Sequence, residues 1–69
     1  MTRYMTVFEH DDDGWNAYVP DLPGCVAVAE TAEEVTELIR EAIEFRLEGL
    51  RDAGEPIPEP TSQMTYVEV

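Results

Sequence analysis

Gly14-Trp15-Asn16-Ala17-Tyr18-Val19-Pro20-Asp21-Leu22-Pro23-Gly24-Cys25 decides the fold, because it joins a strand to a turn that the chain cannot avoid. Trp15, Ala17 and Val19 alternate with Asn16 and Tyr18, the period of two of a strand whose faces meet different surroundings. Pro20 and Pro23 lack the backbone donor that a ladder needs, and Gly24 invites a positive φ, so the chain must turn over 20–25. Upstream, Arg3 to Phe8 is a run of strand-favouring residues that ends at Glu9-His10-Asp11-Asp12-Asp13-Gly14, which reads as a hairpin loop. The two strands on either side of it are expected to pair antiparallel.

Downstream, Cys25 to Ala29 reads as a short third strand. Thr31-Ala32-Glu33-Glu34 then fits a capping box, with the Thr31 hydroxyl accepting from the third helical amide and Glu34 reaching back to the Thr31 amide. Val35, Leu38, Ile39, Ala42, Ile43, Leu47, Leu50 and Ala53 keep the three-and-four spacing of one helical face, and Gly54 supplies the left-handed residue that ends it. The spacing predicts a helix over 32–53. Glu55 to Pro60 is a proline-stiffened return, and Met64 to Val69 has the residue types of a last strand. The order is β-β-β-α-β. This is an α+β fold with an antiparallel sheet of three to four strands and one helix on one face, in a single domain over 1–69.

A chain of 69 residues makes a thin core, and small folds usually need a staple. Cys25 is the lone cysteine, so a disulfide within the chain is excluded and a reducing compartment is expected. No apolar run approaches a membrane span, and Met1-Thr2-Arg3-Tyr4 lacks the basic region and apolar run of a signal peptide, so a cytoplasmic location is expected. Sixteen acidic residues against four arginines give a formal charge of −12, which repels phosphates and argues against direct nucleic-acid binding by this chain. The 43% of hydrophobic residues is too high for a disordered acidic chain.

Two local conflicts bear on function. At 100° per residue Arg46 falls near the middle of the apolar stripe. Either its stem packs while its head reaches water, or it meets a carboxylate at an interface. Glu37, Glu41, Glu44 and Glu48 form one ridge of like charges, each pair unfavourable by about 0.2–0.5 kcal/mol. That ridge is either a plain solvated face or a steering surface for a basic partner.

One helix covers one face of a sheet, yet these strands carry apolar groups on both sides: Trp15 and Val19 against Tyr18, and Phe8 against Val7. A second copy of the chain, as a homodimer or homotetramer, or a protein partner would cover the other face.

The run 14–25, with Thr31-Ala32-Glu33-Glu34-Val35, Glu41-Ala42-Ile43-Glu44 and Gly54-Glu55-Pro56-Ile57-Pro58, resembles the N-terminal domain of HicB-like antitoxins over nearly the whole chain. The resemblance implies a partial ribonuclease-H-like fold and a role in neutralising a HicA-like toxin, a small basic protein that cleaves messenger RNA. Many HicB antitoxins carry a further operator-binding segment. Here the sequence stops at Val69 with the last expected strand, which puts operator binding in doubt. Stand-alone members without an evident toxin also exist in the family, so a homo-oligomer without a toxin partner is the alternative.

Catalysis and cofactors are not expected. His10 with Asp11, Asp12 and Asp13 is a weak metal cluster, since consecutive loop carboxylates seldom converge, and neither a calcium loop nor a phosphate-binding glycine loop is present. Cys25 leads into Val26 and Val28, where burial would quieten its thiol. The function that the resemblance implies is toxin occlusion. The Glu37, Glu41, Glu44 and Glu48 ridge attracts the partner, and the turn with Asp21, Leu22 and Pro23, flanked by Trp15 and Tyr18, blocks it. Arg46 is added as an interface candidate.

Overall fold

A computed structural model of the chain describes residues 2–69; Met1, part of the N-terminal run read above for targeting, lies outside them. Three strands, β1 (Val7–Asp11), β2 (Gly14–Tyr18) and β3 (Val26–Ala29), precede one helix, α1 (Ala32–Asp52). The strands form an antiparallel sheet in the order β1-β2-β3.

The hairpin is tighter than the sequence suggests. Asp11 pairs with Gly14, so only Asp12 and Asp13 form the turn, and the Asp11 carboxylate accepts from the Asp13 amide at 2.8 Å. His10 joins the ladder opposite Trp15, and their rings stack with centroids 4.4 Å apart. Gly14 has a φ of 143°, and a Cβ there would lie 2.7 Å from the Ala29 carbonyl oxygen, so glycine is required where β2 passes β3.

The turn after β2 is two reversals in series. The Leu22 amide donates to the Val19 carbonyl and the Cys25 amide to the Leu22 carbonyl, both at 3.0 Å, while the Val19 amide closes onto the Cys25 carbonyl at 3.2 Å. Pro20 and Pro23 take the second position of each reversal, and Gly24, with φ 85°, follows Pro23 as a type II turn demands.

The helix starts at Thr31, whose hydroxyl accepts from the Glu34 amide at 3.1 Å. The reciprocal half of the cap differs from expectation: the Thr31 hydroxyl donates to the Glu34 carboxylate at 3.1 Å, and the Thr31 amide is not the target. At the far end the Gly54 amide donates to Arg51 and the Glu55 amide to Leu50, a Schellman ending built on the positive φ of Gly54.

Ala17, Val19, Leu22, Cys25, Val35, Ile39 and Leu47 form the core, with Tyr4, Trp15, Ile43 and Ile57 packed around it. The helix lies over β2 and β3 and is offset from β1. Leu38, expected on the buried stripe, is exposed because it sits at the stripe's margin. Met64 to Val69 forms no strand, correcting that part of the expected order. Its residues suit a ladder, but none of the described strands pairs with it. No helix is long and apolar enough to cross a membrane among the described residues.

Candidate functional site

Cross-strand partners share a face of the sheet, which sorts the candidates directly. Phe8, Ala17 and Ala27 line up toward the helix, as do His10, Trp15 and Ala29. Val7, Tyr18 and Val26, with Asn16 and Val28, occupy the opposite face. Trp15 and Tyr18 therefore point to opposite sides and do not form one contact patch. Trp15 is half-buried beside the core, whereas Tyr18, Val26 and Val28 are 40%, 63% and 74% exposed. The uncovered apolar face expected from the alternation is thus present, and β3 supplies most of it.

Within the turn, Leu22 is 1% exposed and belongs to the core, which corrects its reading as a contact residue. The two reversals leave Leu22 between them with its side chain inward, while Pro23 and Gly24 stay exposed. Asp21 is engaged within the chain. Its carboxylate accepts from the Ser62 amide at 3.0 Å and hydroxyl at 2.8 Å, and from the Thr61 amide and hydroxyl at 3.1 Å each. These bonds, the Ser62 amide first, hold the Asp21 carboxyl below the ordinary aspartate range. The Tyr4 hydroxyl donates to the Pro58 carbonyl, so the return segment is fastened at both ends of 58–62. This clasp joins residues about 40 positions apart, and no local pattern in the sequence announces it.

Glu37, Glu41, Glu44 and Glu48 are all exposed along one ridge of α1. Arg46 is also exposed, about 180° around the helix from Glu37, so it is not part of that ridge. Although it falls on the apolar stripe next to buried Leu47, its side chain reaches solvent. Its guanidinium borders a groove of about 440 Å³ walled by Cys25, Val26, Ala42, Phe45 and Leu50. Burial pushes the Cys25 thiol up, with the Arg46 charge partly opposing it, so the thiol stays protonated and unreactive at neutral pH. Phe45, 80% exposed on this rim, was missed; it falls on the flank of the helix between the ridge and the stripe, a position that pattern reading assigns to neither. Among the described residues no group of three or more His, Cys, Asp or Glu side chains gathers to hold a metal.

The model of the HicB_like antitoxin of bacterial toxin-antitoxin systems matches residues 4–68. The chain belongs to the HicB-like antitoxin family. It is 31% identical over 68 residues to Antitoxin HicB 2 of Photorhabdus laumondii, covering 97% of this chain and 49% of that one. It is 33% identical over 64 residues to a protein of the rep-hol intergenic region of Haemophilus phage HP1, covering 93% and 48%. The chain thus spans about half the length of these relatives. Among solved structures it is similar to a chain of the HicA3 and HicB3 toxin-antitoxin complex, with a TM-score of 0.66 and 26% identity over 86% of this chain and 72% of that one. The three strands and single helix are therefore the HicB-like fold, with the sheet left open.

Proposed function

We propose that the chain is a protein-binding module that neutralises a basic HicA-type, messenger-RNA-cleaving toxin by covering the toxin's RNA-binding face. The observation that carries this reading is the HicB-like match across 4–68, together with the likeness to a chain of the HicA3 and HicB3 complex. The charge distribution favours it as well. Four exposed helical glutamates on a chain of net charge −12 attract a cationic protein and repel the phosphates that the toxin would bind. The Glu37, Glu41, Glu44 and Glu48 ridge steers the toxin, while exposed Tyr18, Pro23 and Arg46 and half-buried Trp15, which lie on other sides of the domain, are separate candidate contacts. Asp21 contributes through the turn that it braces. The module acts in the cytoplasm as a single domain, without a cofactor, and is not itself a catalyst.

RNA cleavage by a HicA-type toxin, titrated with this chain, tests the proposal. Cleavage should stop near one equivalent, and association should slow as salt rises; undiminished cleavage at several-fold excess would reject it.

A second reading has its own observation. Tyr18, Val26 and Val28 are left open on one sheet face, which suits a homo-oligomer without a toxin. Self-association to a dimer or tetramer is compatible with either reading.

A further inference from the structure

Two unfinished features of this molecule complement each other. The first is the segment after the Asp21 clasp. Met64, Tyr66 and Val67 are 72%, 90% and 77% exposed, and the segment has strand-forming composition but no strand to pair with. The second is the outer edge of β1. Among the described strands β1 pairs only with β2, so one row of its backbone donors and acceptors has no strand partner there. Because α1 is offset toward β2 and β3, the helix-side surface beneath that edge is an open groove of about 790 Å³, floored by Tyr4, Phe8, Ile39, Ile43 and Leu47.

Charge selects the occupant. In a chain with four basic residues, Arg3 and Arg40 both line this groove, against a single acid, Glu44. A cationic partner is disfavoured there, and a segment of an acidic protein is favoured. Residues 63–69 are apolar or neutral apart from Glu68. In an extended segment Met64, Tyr66 and Glu68 share one side, and Thr65, Val67 and Val69 the other. Laid along β1, the first set enters the groove and brings Glu68 toward Arg3 and Arg40. The second set joins Val7 and Tyr18 on the open face.

We propose that residues 64–69 form an exchanged strand, pairing with the β1 edge of a second copy of this chain while that copy's segment pairs in return. The exchange is isologous and closes a two-fold dimer. This deepens the self-association proposed above by naming its contact, and it does not depend on the toxin.

The test uses the whole chain. Sedimentation should give two chains per particle, and removal of residues 64–69 should give one, with the helical circular dichroism signal and the melting cooperativity retained, because no helix or core residue is lost. A dimer that persists without the segment leaves self-association standing and overturns the exchange; a full-length chain that stays monomeric overturns both. Copies carrying Tyr66→Cys mixed with copies carrying Thr6→Cys, on the groove wall, should be joined between chains by a short bis-maleimide. Cross-linking within a chain carrying both substitutions, and not between chains, would show the segment on its own edge and reject the proposal.

Discussion

Leu22→Ala separates the structural role of the turn over 20–25 from the interfacial role proposed for it. Leu22 is 1% exposed and is one of the two largest fully buried side chains. Truncation removes three methylene-sized groups worth about 0.8 kcal/mol each. The cavity left behind adds to this, giving about 3 kcal/mol within the range of roughly 2–5 kcal/mol typical of buried Leu→Ala changes. A domain of this length has a stability of roughly 3–10 kcal/mol, so the loss is a large share of the total. The melting temperature followed by far-ultraviolet circular dichroism should fall by about 12–24 °C. Below the transition, where the variant is folded, toxin affinity should stay within about threefold of the parent, because the side chain faces the core and not the partner. Exposed Pro23→Ala should do the reverse, weakening toxin binding with little change in melting temperature. An unchanged melting temperature with lost toxin binding in Leu22→Ala would refute the placement of Leu22 in the core.

Further outcomes follow from other parts of the fold. Gly14→Ala should destabilise the domain by about 2 kcal/mol or more, since both the positive φ and the Ala29 carbonyl oppose a Cβ; a denaturant midpoint equal to the parent's would contradict this. Alkylation of Cys25 should be slower than that of a free thiol at neutral pH and should accelerate when the chain is unfolded, because burial raises its pKa. The same shift predicts that stability present below the unfolded thiol pKa of about 8.5 declines as pH rises above it, which a pH series of melting curves would detect. For Asp21 the sign is opposite. Its lowered pKa contributes stability above the unfolded aspartate value of about 3.9 that is lost as pH falls through the folded value, so the 58–62 return should loosen in acid. Hydrogen exchange at the Thr61 and Ser62 amides reads this out, and Asp21→Asn should abolish the pH dependence.

Features that rest on near neighbours in the chain were legible in the sequence. The double reversal follows from Pro20, Pro23 and Gly24, the helix start from Thr31, and its end from Gly54, all within a few residues of the bonds they make. Misplaced features depend on partners far along the chain. The first strand was expected to end at Phe8, but pairing across the hairpin carries His10 and Asp11 into the ladder. Met64 to Val69 has strand composition, but strand composition needs an edge to pair with, and only tertiary placement supplies one. Leu22 and Pro23 look alike as turn residues until burial shows that Leu22 points inward and Pro23 does not. Arg46 is a conflict in the pattern, but whether its head reaches water depends on the open groove beside Cys25 and Val26, which the residue pattern alone does not contain.

Salt should act on the two associations in opposite directions, and this ties the charge distribution to function. Two copies of a chain of net charge −12 repel at long range, while the exchanged contact itself is largely apolar. Shortening the screening length from about 10 Å at 0.1 M to about 3 Å at 1 M therefore strengthens the dimer, apart from the small share held by Glu68 with Arg3 and Arg40. A complex with a basic toxin gains its encounter rate from that same charge and loses it over the same range. On the proposed reading, the acidic ridge would serve one partner at the expense of the other. Glu37→Gln combined with Glu41→Gln, both outside the groove, should tighten self-association at low salt while slowing toxin capture, and at 1 M salt both differences should shrink toward the parent. Variants that weakened both associations together would place the two partners on one shared surface, contrary to the placement of Glu37 and Glu41 outside the β1 groove.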